Sequence, residues 1–507
     1  MFGDNFMRIK KYISVGLAFC LSLSVFTITA DATNRNLTDE QRKAIRIESN
    51  SLEDWPDGPQ VLAESAILME AGTGTILYEK NATAAMYPAS TTKTLTALLT
   101  VENCKMSDTV TISRNALYDV PSDSSLMGGL SVGDKLSVEV CMYGLMLSSG
   151  NEISYALGEH VAGGELSKFV DMMNERSAEL GCVNSHFSNP HGYHDAEHYT
   201  CAYDLALISM EALKHTEYRK IAGTERYNFP LANDGSVRDP WNHHLMLKQN
   251  SEYYYEYCTG GKTGYTSSSG STLVTYAEKD GISLICVVLN ENKPGHWTDT
   301  KTLLDYGFNN FHKVEISTNE KNFSLGNNTF FHSGNNIFGN TLPTIELNKD
   351  GYMVLPNEAS FEDTVSSIQF EEATSSGDAG TTTNALATLS YTYKGYPVGS
   401  TTIDLITNEA ESFDFSTLTS EQKDKVEKEK DTSSISFIQI DQTLIFVLLG
   451  AIAVIAVLVI VIVLARRSYA YRKDSKDINQ PLTIPHTKTK KNSKKNKNAS
   501  KYKDLHF

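Results

Sequence analysis

Two residues at the start of a helical pattern have the types and the spacing for nucleophilic chemistry. Ser90 and Lys93 stand three positions apart, and the apolar residues after them recur at helical spacing up to Val101. Side chains three apart on a helix lie on one face, one turn from each other. A hydroxyl beside an amine is a nucleophile beside a base, provided that the amine stays uncharged. Alone, the pair also fits a helix cap followed by a solvated lysine.

Two further motifs carry polar side chains at the ends of regular elements. Ser149-Gly150-Asn151 separates two helical stretches, 136–147 and 152–161, and such a junction either aims a hydroxyl or only caps the helices. Lys262-Thr263-Gly264 lies in the first strand of an antiparallel meander that continues with strands at 272–277 and 282–290. Glycines beside a lysine suit an edge strand where another backbone approaches, so this edge is a candidate for binding an extended peptide.

The order of these three motifs resembles that of the penicillin-recognising serine enzymes. Within that group, the chain is most similar to the D-alanyl-D-alanine carboxypeptidases, the low-molecular-mass penicillin-binding proteins. The neighbouring sequence agrees with the resemblance at residues 74–78, 88–93, 147–151, 189–192 and 198–200. The resemblance covers residues 60–312 closely and residues 313–410 loosely.

The resemblance implies an α+β fold and an acyl-enzyme mechanism. The expected fold is a β-lactamase/transpeptidase-like domain, a helical cluster on an antiparallel sheet with the site between them, followed by a small all-β domain. A single transmembrane helix is expected from the chain's own apolar run at 444–465, whereas many relatives dock by an amphipathic helix. Ser90 is expected to attack the penultimate D-alanine carbonyl of a peptidoglycan stem peptide and to release the terminal D-alanine. Lys93 would take the proton of Ser90, its pKa being lowered by burial and by a second cation, Lys262. No cofactor and no metal are implied.

The other motif residues receive supporting roles from the same resemblance. Ser149 is expected to relay protons to the leaving amine, and the backbone N–H groups of Ser90 and Tyr265 to form the oxyanion hole. Some relatives have histidine where this chain has Tyr265, for which we expect altered tuning and not loss of activity. β-Lactams are expected to acylate Ser90 and to leave slowly. The expected substrate-binding residues are Asn151, Lys262, Thr263, Gly264 and Tyr265.

Three alternative functions share parts of this pattern. A class A β-lactamase needs a deacylating glutamate between the second and third motifs, and the sequence offers none in a convincing setting. A β-lactam sensor needs an output domain, whereas a lysine-rich tail follows the apolar segment near the C-terminus. A catalytically silent wall-binding protein is disfavoured because all three motifs are intact.

Several segments between the motifs have simpler interpretations. Residues 33–60 are polar and mixed, which predicts a poorly ordered lead-in to a peptidase domain at 61–312. His191, His194 and His198 invite a metal site, but Pro190 and Gly192 favour a surface loop that bonds its own backbone. Six cysteines follow residue 100 without metal-type spacing, so disulfides and free thiols both remain open.

Both ends of the chain carry targeting patterns. Residues 1–32 have the basic, apolar and small-residue regions of a secretory signal peptide, and residues 444–465 are an uncharged apolar run long enough to span a bilayer. Residues 411–443 read as a polar stalk, and 466–507 hold 13 of the 45 basic residues. These charges predict a cytoplasmic tail and an extracellular catalytic domain on a single-pass membrane protein. The strongly acidic remainder argues against a nucleic-acid partner.

Overall fold

The structure is a computed structural model that describes residues 37–230, 237–320, 344–370 and 385–406. These residues belong to the first of two compact units of the chain, Met1–Glu411. The predicted signal peptide, the predicted stalk at 411–443, the apolar run at 444–465 and the basic tail lie outside the described residues. Among the helices that are described, none has the length and apolar character needed to cross a membrane.

The described residues combine helices with antiparallel strands. The helices are α1 (Asp39–Lys43), α2 (Lys93–Asn103), α3 (Arg114–Tyr118), α4 (Val138–Met146), α5 (Asn151–Val161), α6 (Leu166–Glu179), α7 (Ala202–Ala212), α8 (Thr216–Ala222), α9 (Gly295–Asn310) and α10 (Ile316–Asn319). The strands are β1 (Ser65–Glu70), β2 (Ile76–Lys80), β3 (Thr109–Thr111), β4 (Lys135–Ser137), β5 (Phe229–Pro230), β6 (Val237–Arg238), β7 (Cys258–Thr266), β8 (Gly270–Lys279), β9 (Ile282–Glu291), β10 (Phe311–Glu315), β11 (Thr344–Leu347), β12 (Tyr352–Pro356), β13 (Thr364–Phe370), β14 (Ala385–Tyr393) and β15 (Tyr396–Ile406).

A five-stranded antiparallel sheet in the order β2-β1-β9-β8-β7 forms the middle layer. Both faces of this sheet are buried, because alternate residues of each strand enter different hydrophobic clusters. Ile67 and Val287 pack in the cluster that includes helices α2, α4, α5 and α7. Leu68 and Cys286 pack in the opposite cluster with helix α9. The predicted helical cluster on an antiparallel sheet is therefore confirmed, with the lysine motif on edge strand β7.

The segment before the first strand differs from the sequence prediction. Residues 37–60 form the short helix α1 and a further turn, and Ile47 and Trp55 are buried in the α9 cluster. The buried Arg42 guanidinium donates to the carbonyl oxygens of Leu62 and Asn290, which ties the segment to the sheet. The prediction of a poorly ordered lead-in was wrong for residues 37–60. Burial of the apolar side chains of Ile47 and Trp55 orders this segment although its composition is polar.

Strands β10 to β15 form a second antiparallel sheet, as the sequence predicted for residues 313–410. This small β domain begins with β10, directly after helix α9, and packs on the residues around helix α9 and strand β1. Met353 and Leu355 share a hydrophobic cluster with Leu303 of α9, and the Tyr352 hydroxyl donates to Glu70 Oε1 at 2.9 Å. The six cysteines left open by the sequence are free thiols in the described residues.

Candidate active site

Ser90 lies on a tight turn at the start of helix α2. Residues Ala89–Thr92 form a 3-10 turn, and Ala89 has a φ of 50°, in the left-handed region that non-glycine residues rarely adopt. Thr272 Oγ1 donates to the carbonyl of Pro88 at 2.8 Å and fixes the turn to strand β8. The Ser90 side chain is half-buried and faces two cavities. The turn therefore presents one hydroxyl to open space from a fixed backbone.

The Lys93 amine makes three short contacts, one of which is with Ser90. Its Nζ donates to Asn151 Oδ1 at 2.7 Å and to the carbonyl oxygen of His191 at 2.7 Å, and it lies 3.1 Å from Ser90 Oγ. An uncharged amine has two hydrogens and one lone pair. The two oxygens take both hydrogens, so the lone pair is left for the Ser90 hydroxyl proton.

The surroundings of Lys93 favour that uncharged form. The side chain is fully buried, and burial, followed by the positive charge of Lys262, holds the pKa of Lys93 well below its ordinary value. The Glu152 carboxylate acts in the opposite direction, but more weakly. This environment therefore favours Lys93 as a proton acceptor.

A second lysine joins the second and third motifs. Lys262 Nζ donates to Ser149 Oγ at 3.2 Å and to the carbonyl of Thr263 at 2.9 Å. Burial lowers the pKa of Lys262 to about 7, so its charge is sensitive to pH and to a nearby anion. Ser149 has a φ of 57°, a left-handed conformation that non-glycine residues rarely adopt, and its hydroxyl contacts Lys262. The junction is thus more than a helix cap.

Strand β7 approaches the turn at Ala89–Thr92, called here the nucleophile turn, through a glycine. A Cβ built on Gly264 would lie 2.8 Å from the backbone nitrogen of Ser90 and 2.3 Å from Thr272 Oγ1. Only glycine lets the strand come this close without displacing the turn. Tyr265 is the next residue along the strand and is 57% exposed. Lys293 Nζ lies 4.1 Å from the centroid of its ring. The backbone nitrogens of Ser90 and Tyr265 consequently belong to neighbouring parts of one site.

The loop at 191–198 contacts Lys93 and the nucleophile turn. The sequence predicted a surface loop, but His191 and His198 are buried against the nucleophile turn. Ser188 N–H donates to His198 Nδ1 at 3.0 Å, so the Nε2 hydrogen is directed at Thr92 Oγ1, 2.8 Å away. Burial lowers the pKa of both rings to about 3, which keeps them neutral. Gly192 has a φ of 81°, and a Cβ there would lie 1.8 Å from the Ala89 carbonyl oxygen.

Two cavities meet at Ser90. The first, of about 700 Å³, is the lysine-lined cavity, and its walls include Ser149, Thr263, Lys248 and Lys293. The second, of about 410 Å³, is the hydroxyl-lined cavity, and its walls include serine, threonine and tyrosine side chains. Asp123 borders both. The sequence analysis missed Asp123, Lys248 and Lys293, because no local motif marks them.

Glu152 is a further residue that sequence reasoning treated only as part of a helix. Its side chain is buried, and Oε1 accepts a hydrogen bond from the Gly128 N–H at 2.9 Å. Burial raises the pKa of this carboxyl group. The bond holds the segment at 121–129, which forms one wall of the site. Asn151 holds the same segment, because its N–H donates to the carbonyl of Ser125 at 2.8 Å.

The comparisons with known proteins agree with this geometry. Residues 53–293 match the family model described as D-alanyl-D-alanine carboxypeptidase. The D-alanyl-D-alanine carboxypeptidase of Streptomyces sp. strain K15 is 31% identical over 261 residues, which cover 49% of this chain and 88% of that protein. The chain belongs to the D-alanyl-D-alanine carboxypeptidase family. The resemblance seen in the sequence is therefore confirmed, and the protein is a serine hydrolase of this family.

Other relatives of this carboxypeptidase differ in how much they share with it. DacF of Bacillus subtilis is 34% identical over 262 residues, which are 49% of this chain and 63% of DacF. DacA of Escherichia coli is 31% identical over 312 residues, which are 59% of this chain and 72% of DacA. The crystal structure of the Streptomyces K15 DD-transpeptidase matches 50% of this chain and all of its own length, at 30% identity and a TM-score of 0.46. The match with DacF therefore spans less than two thirds of the length of DacF.

The structure brings all the predicted site residues of this carboxypeptidase together. Hydrogen-bond distances connect Ser90, Lys93 and Asn151 as one group, and Ser149 and Lys262 as another. Residues Ser90, Ser149, Thr263, Gly264 and Tyr265 line the lysine-lined cavity. The Ser90 and Ser149 residues of the two groups therefore line the same cavity, and a buried lysine amine lies within hydrogen-bond distance of each hydroxyl.

Proposed function

We propose that this protein removes the terminal D-alanine from peptidoglycan stem peptides through an acyl-enzyme on Ser90. One observation carries the proposal: the fully buried Lys93 amine lies 3.1 Å from Ser90 Oγ, with its hydrogens taken by two other oxygens. This arrangement supports proton removal from Ser90 at neutral pH. The family to which the chain belongs supports the identity of the substrate.

Acylation begins when a carbonyl carbon lies against Ser90 Oγ. The bond from Oγ to the penultimate D-alanine carbon forms while Lys93 takes the hydroxyl proton. The carbonyl oxygen, which becomes negative, is stabilised by the N–H groups of Ser90 and Tyr265. Gly264 supports this role, because its lack of a side chain lets β7 lie against the Ser90 amide. Asn151 and the His191 carbonyl hold the Lys93 amine in place during the transfer.

The bond to the terminal D-alanine then breaks. Its nitrogen leaves with a proton from Ser149 Oγ, and Lys262 replaces that proton across 3.2 Å. Water next attacks the ester, and its proton restores the Lys262–Ser149 pair. Ser90 Oγ leaves with the proton that Lys93 holds, so the enzyme returns to its starting state. A β-lactam would form the same ester on Ser90 and, by occupying the site, would delay attack by water.

The carboxylate of the terminal D-alanine belongs in the lysine-lined cavity. Thr263 lies there together with Lys248 and Lys293, and Lys262 is buried next to Ser149 behind it. A carboxylate arriving beside Lys262 would raise the pKa of that lysine, so substrate binding itself secures the positive charge. The cavity therefore favours peptides with a free C-terminus.

We also propose that the enzyme acts outside the cell while anchored to the membrane. The patterns at 1–32 and 444–465, and the basic residues after 465, support this location. Fractionation of cells that express the full chain should place it in the membrane fraction, with the peptidase domain open to protease added from outside. Replacing the run 444–465 by a polar linker should release the protein, and a membrane location that survives this change would refute the anchor.

The activity is tested with purified full-length protein and a peptide ending in D-Ala-D-Ala. We expect release of free D-alanine, and none from the matched peptide that ends in L-Ala. Release should stop after treatment with penicillin. No release from either peptide, or turnover of penicillin at a rate comparable to peptide cleavage, would overturn the proposal in favour of a silent binding protein or a β-lactamase.

A further inference from the structure

Three side chains of different chemical types meet where helices α2 and α5 end. Cys104 caps the C-terminal end of α2, Asp108 follows it in a turn, and His160 lies in the last turn of α5. The Cys104 sulfur, a carboxylate oxygen of Asp108 and a ring nitrogen of His160 all lie within 4.8 Å of one another. A thiolate, a carboxylate and an imidazole are the three kinds of side chain that bind zinc in proteins.

The spacing of these three atoms is close to the spacing of ligands on one ion. Zinc binds sulfur at about 2.3 Å and nitrogen or oxygen at about 2.0–2.2 Å, so two ligand atoms on a tetrahedral ion lie roughly 3.3–3.6 Å apart. Movements of roughly 1 Å would therefore bring all three atoms onto one ion. The three side chains are half-buried, which leaves them both room to move and access to solvent.

The turn that carries Asp108 is fixed to the start of helix α4. The Val138 N–H donates to the carbonyl oxygen of Asp108 at 2.8 Å. The Glu139 N–H donates to the carbonyl oxygen of Met106 at 3.0 Å. Oδ2 of Asp108 accepts a hydrogen bond from the Lys105 N–H at 2.8 Å, which orients the carboxylate. A ligand that is already oriented loses less freedom when it binds an ion.

The Cys104 thiol and the His160 ring have no hydrogen-bond partner in the part of the chain that the structure describes. A second group of metal-binding side-chain types, Glu102, Glu211 and His215, differs in this respect. Arg176 forms ion pairs with both glutamates, at 2.7 and 3.3 Å. That group is already neutralised by a side chain, whereas the first group retains its capacity for a cation.

We propose that Cys104, Asp108 and His160 form a binding site for one zinc ion, with water as the fourth ligand. On binding, the Cys104 thiol releases its proton to solvent, and the thiolate forms a bond to the ion. No redox step is involved, because zinc does not change its oxidation state. The ion connects the C-terminal ends of two helices that pack together in the core.

The zinc site is separate from the catalytic site. Helix α2 rises 1.5 Å per residue, so Cys104 lies roughly 16 Å from Lys93 along the helix. Lys93 and Asn151 begin the two helices whose other ends the ion would connect. The role of the ion is therefore to stabilise the helical cluster. This inference goes beyond the proposed function and does not rest on it.

The test measures zinc binding by the full-length protein, purified without a histidine tag. Titration calorimetry should show one site per chain, and zinc at about 100-fold its Kd should raise the Tm by roughly 5 °C. Cys104→Ser and His160→Gln should each weaken binding by at least roughly 100-fold, because even residues that only orient a ligand contribute 10- to 100-fold. With cobalt(II) in place of zinc, a thiolate-to-metal absorption band should appear in the wild type and be missing in Cys104→Ser.

Cys182→Ser is the matched control. It removes another half-buried free thiol, which lies outside the proposed site. This variant should keep the zinc affinity and the cobalt band of the wild type. Thermal unfolding without metal reports whether each variant is folded, and His160→Gln keeps the test available if Cys104→Ser is not.

The site would be overturned if the wild type bound no zinc, or if binding were unchanged in both Cys104→Ser and His160→Gln. A cobalt spectrum without a thiolate band, or equal loss of binding in Cys182→Ser, would also contradict it. Failure of the proposed function would be distinguishable, because it would appear as absent D-alanine release and would leave zinc binding unchanged.

Discussion

The side-chain nitrogen of Lys262 lies 3.2 Å from the Ser149 hydroxyl oxygen, although the two residues are 113 positions apart in the chain. This contact joins strand β7, at the edge of the sheet, to the junction before helix α5. It also places a cation near the buried Lys93, whose pKa it lowers in addition to the effect of burial. The helical and sheet halves of the domain thus depend on each other for the chemistry of the site.

Removing the Lys262 amine should weaken binding of peptides with a free C-terminus. A hydrogen bond to a charged group contributes about 1.5–3 kcal/mol, so Lys262→Ala should lower kcat/KM by roughly 10- to 150-fold for a free carboxylate. The loss should be smaller for the C-terminally amidated peptide, measured side by side. Lys168→Ala, at an exposed position on helix α6, is the control. Equal losses on both peptides would refute a carboxylate-binding role.

The pH dependence of kcat/KM should reflect the protonation state of Lys262. Lys262 has a pKa of about 7 in the free enzyme, so it is charged below that pH and loses its charge above it. For a peptide with a free carboxylate, kcat/KM should therefore fall as pH rises past about 7. For the amidated peptide this fall should be smaller, because only the proton-supplying role of Lys262 is then lost. Lys262→Arg should move the fall to higher pH, since a guanidinium stays protonated. A fall of the same size for both peptides would contradict the carboxylate-binding role of Lys262.

Replacing Lys93 by arginine should abolish the proton acceptor while keeping a long side chain that donates hydrogen bonds. Guanidinium cannot be deprotonated in proteins, and general-base catalysis contributes about 10²- to 10⁴-fold. We expect acylation of Lys93→Arg by fluorescent penicillin to slow by this factor, measured as a single-turnover rate. Circular dichroism checks the fold, because arginine is larger than lysine. An unchanged rate in a folded variant would mean that another group takes the Ser90 proton.

The buried histidine behind the nucleophile turn should make the protein sensitive to acid. The pKa of His198 falls from 6.5 to about 3 on folding, so between these values the unfolded chain binds a proton that the folded one does not. Stability should therefore decrease as pH falls below 6.5, by about 2 kcal/mol at pH 5 from this group. Urea unfolding at pH 7 and pH 5 should show a smaller difference for His198→Gln. The same difference in both proteins would contradict this origin.

Local patterns in the sequence were sufficient for the parts of the site that are close along the chain. The spacing of Ser90 and Lys93 predicts one helix face, and the structure places the two side chains 3.1 Å apart. The contact of Ser149 with Lys262 has no such local signal, and the resemblance to a family implied only that the two residues share one site. Asp123 and Lys293 were missed because they stand in loops, where neither periodicity nor a short motif distinguishes a wall residue from a solvated one.

Burial was the property that the sequence predicted least well. The lead-in at 37–60 is polar on average, yet Trp55 is buried against Phe311 of strand β10, with ring centroids 5.1 Å apart. The loop at 191–198 has the composition of a surface loop, yet it packs against the nucleophile turn. In both segments, partners distant in sequence decide the outcome, and a single sequence does not reveal those pairings.

Mapping the acyl-enzyme is the most direct test of the central claim, that Ser90 is the nucleophile. Full-length protein is incubated with penicillin, digested and examined by mass spectrometry. One penicilloyl adduct should appear, on the peptide that contains Ser90, and Ser90→Ala should carry none. Ser167→Ala, which replaces an exposed serine on helix α6, should be labelled like the wild type. An adduct on another residue, or one that persists in Ser90→Ala, would contradict the account.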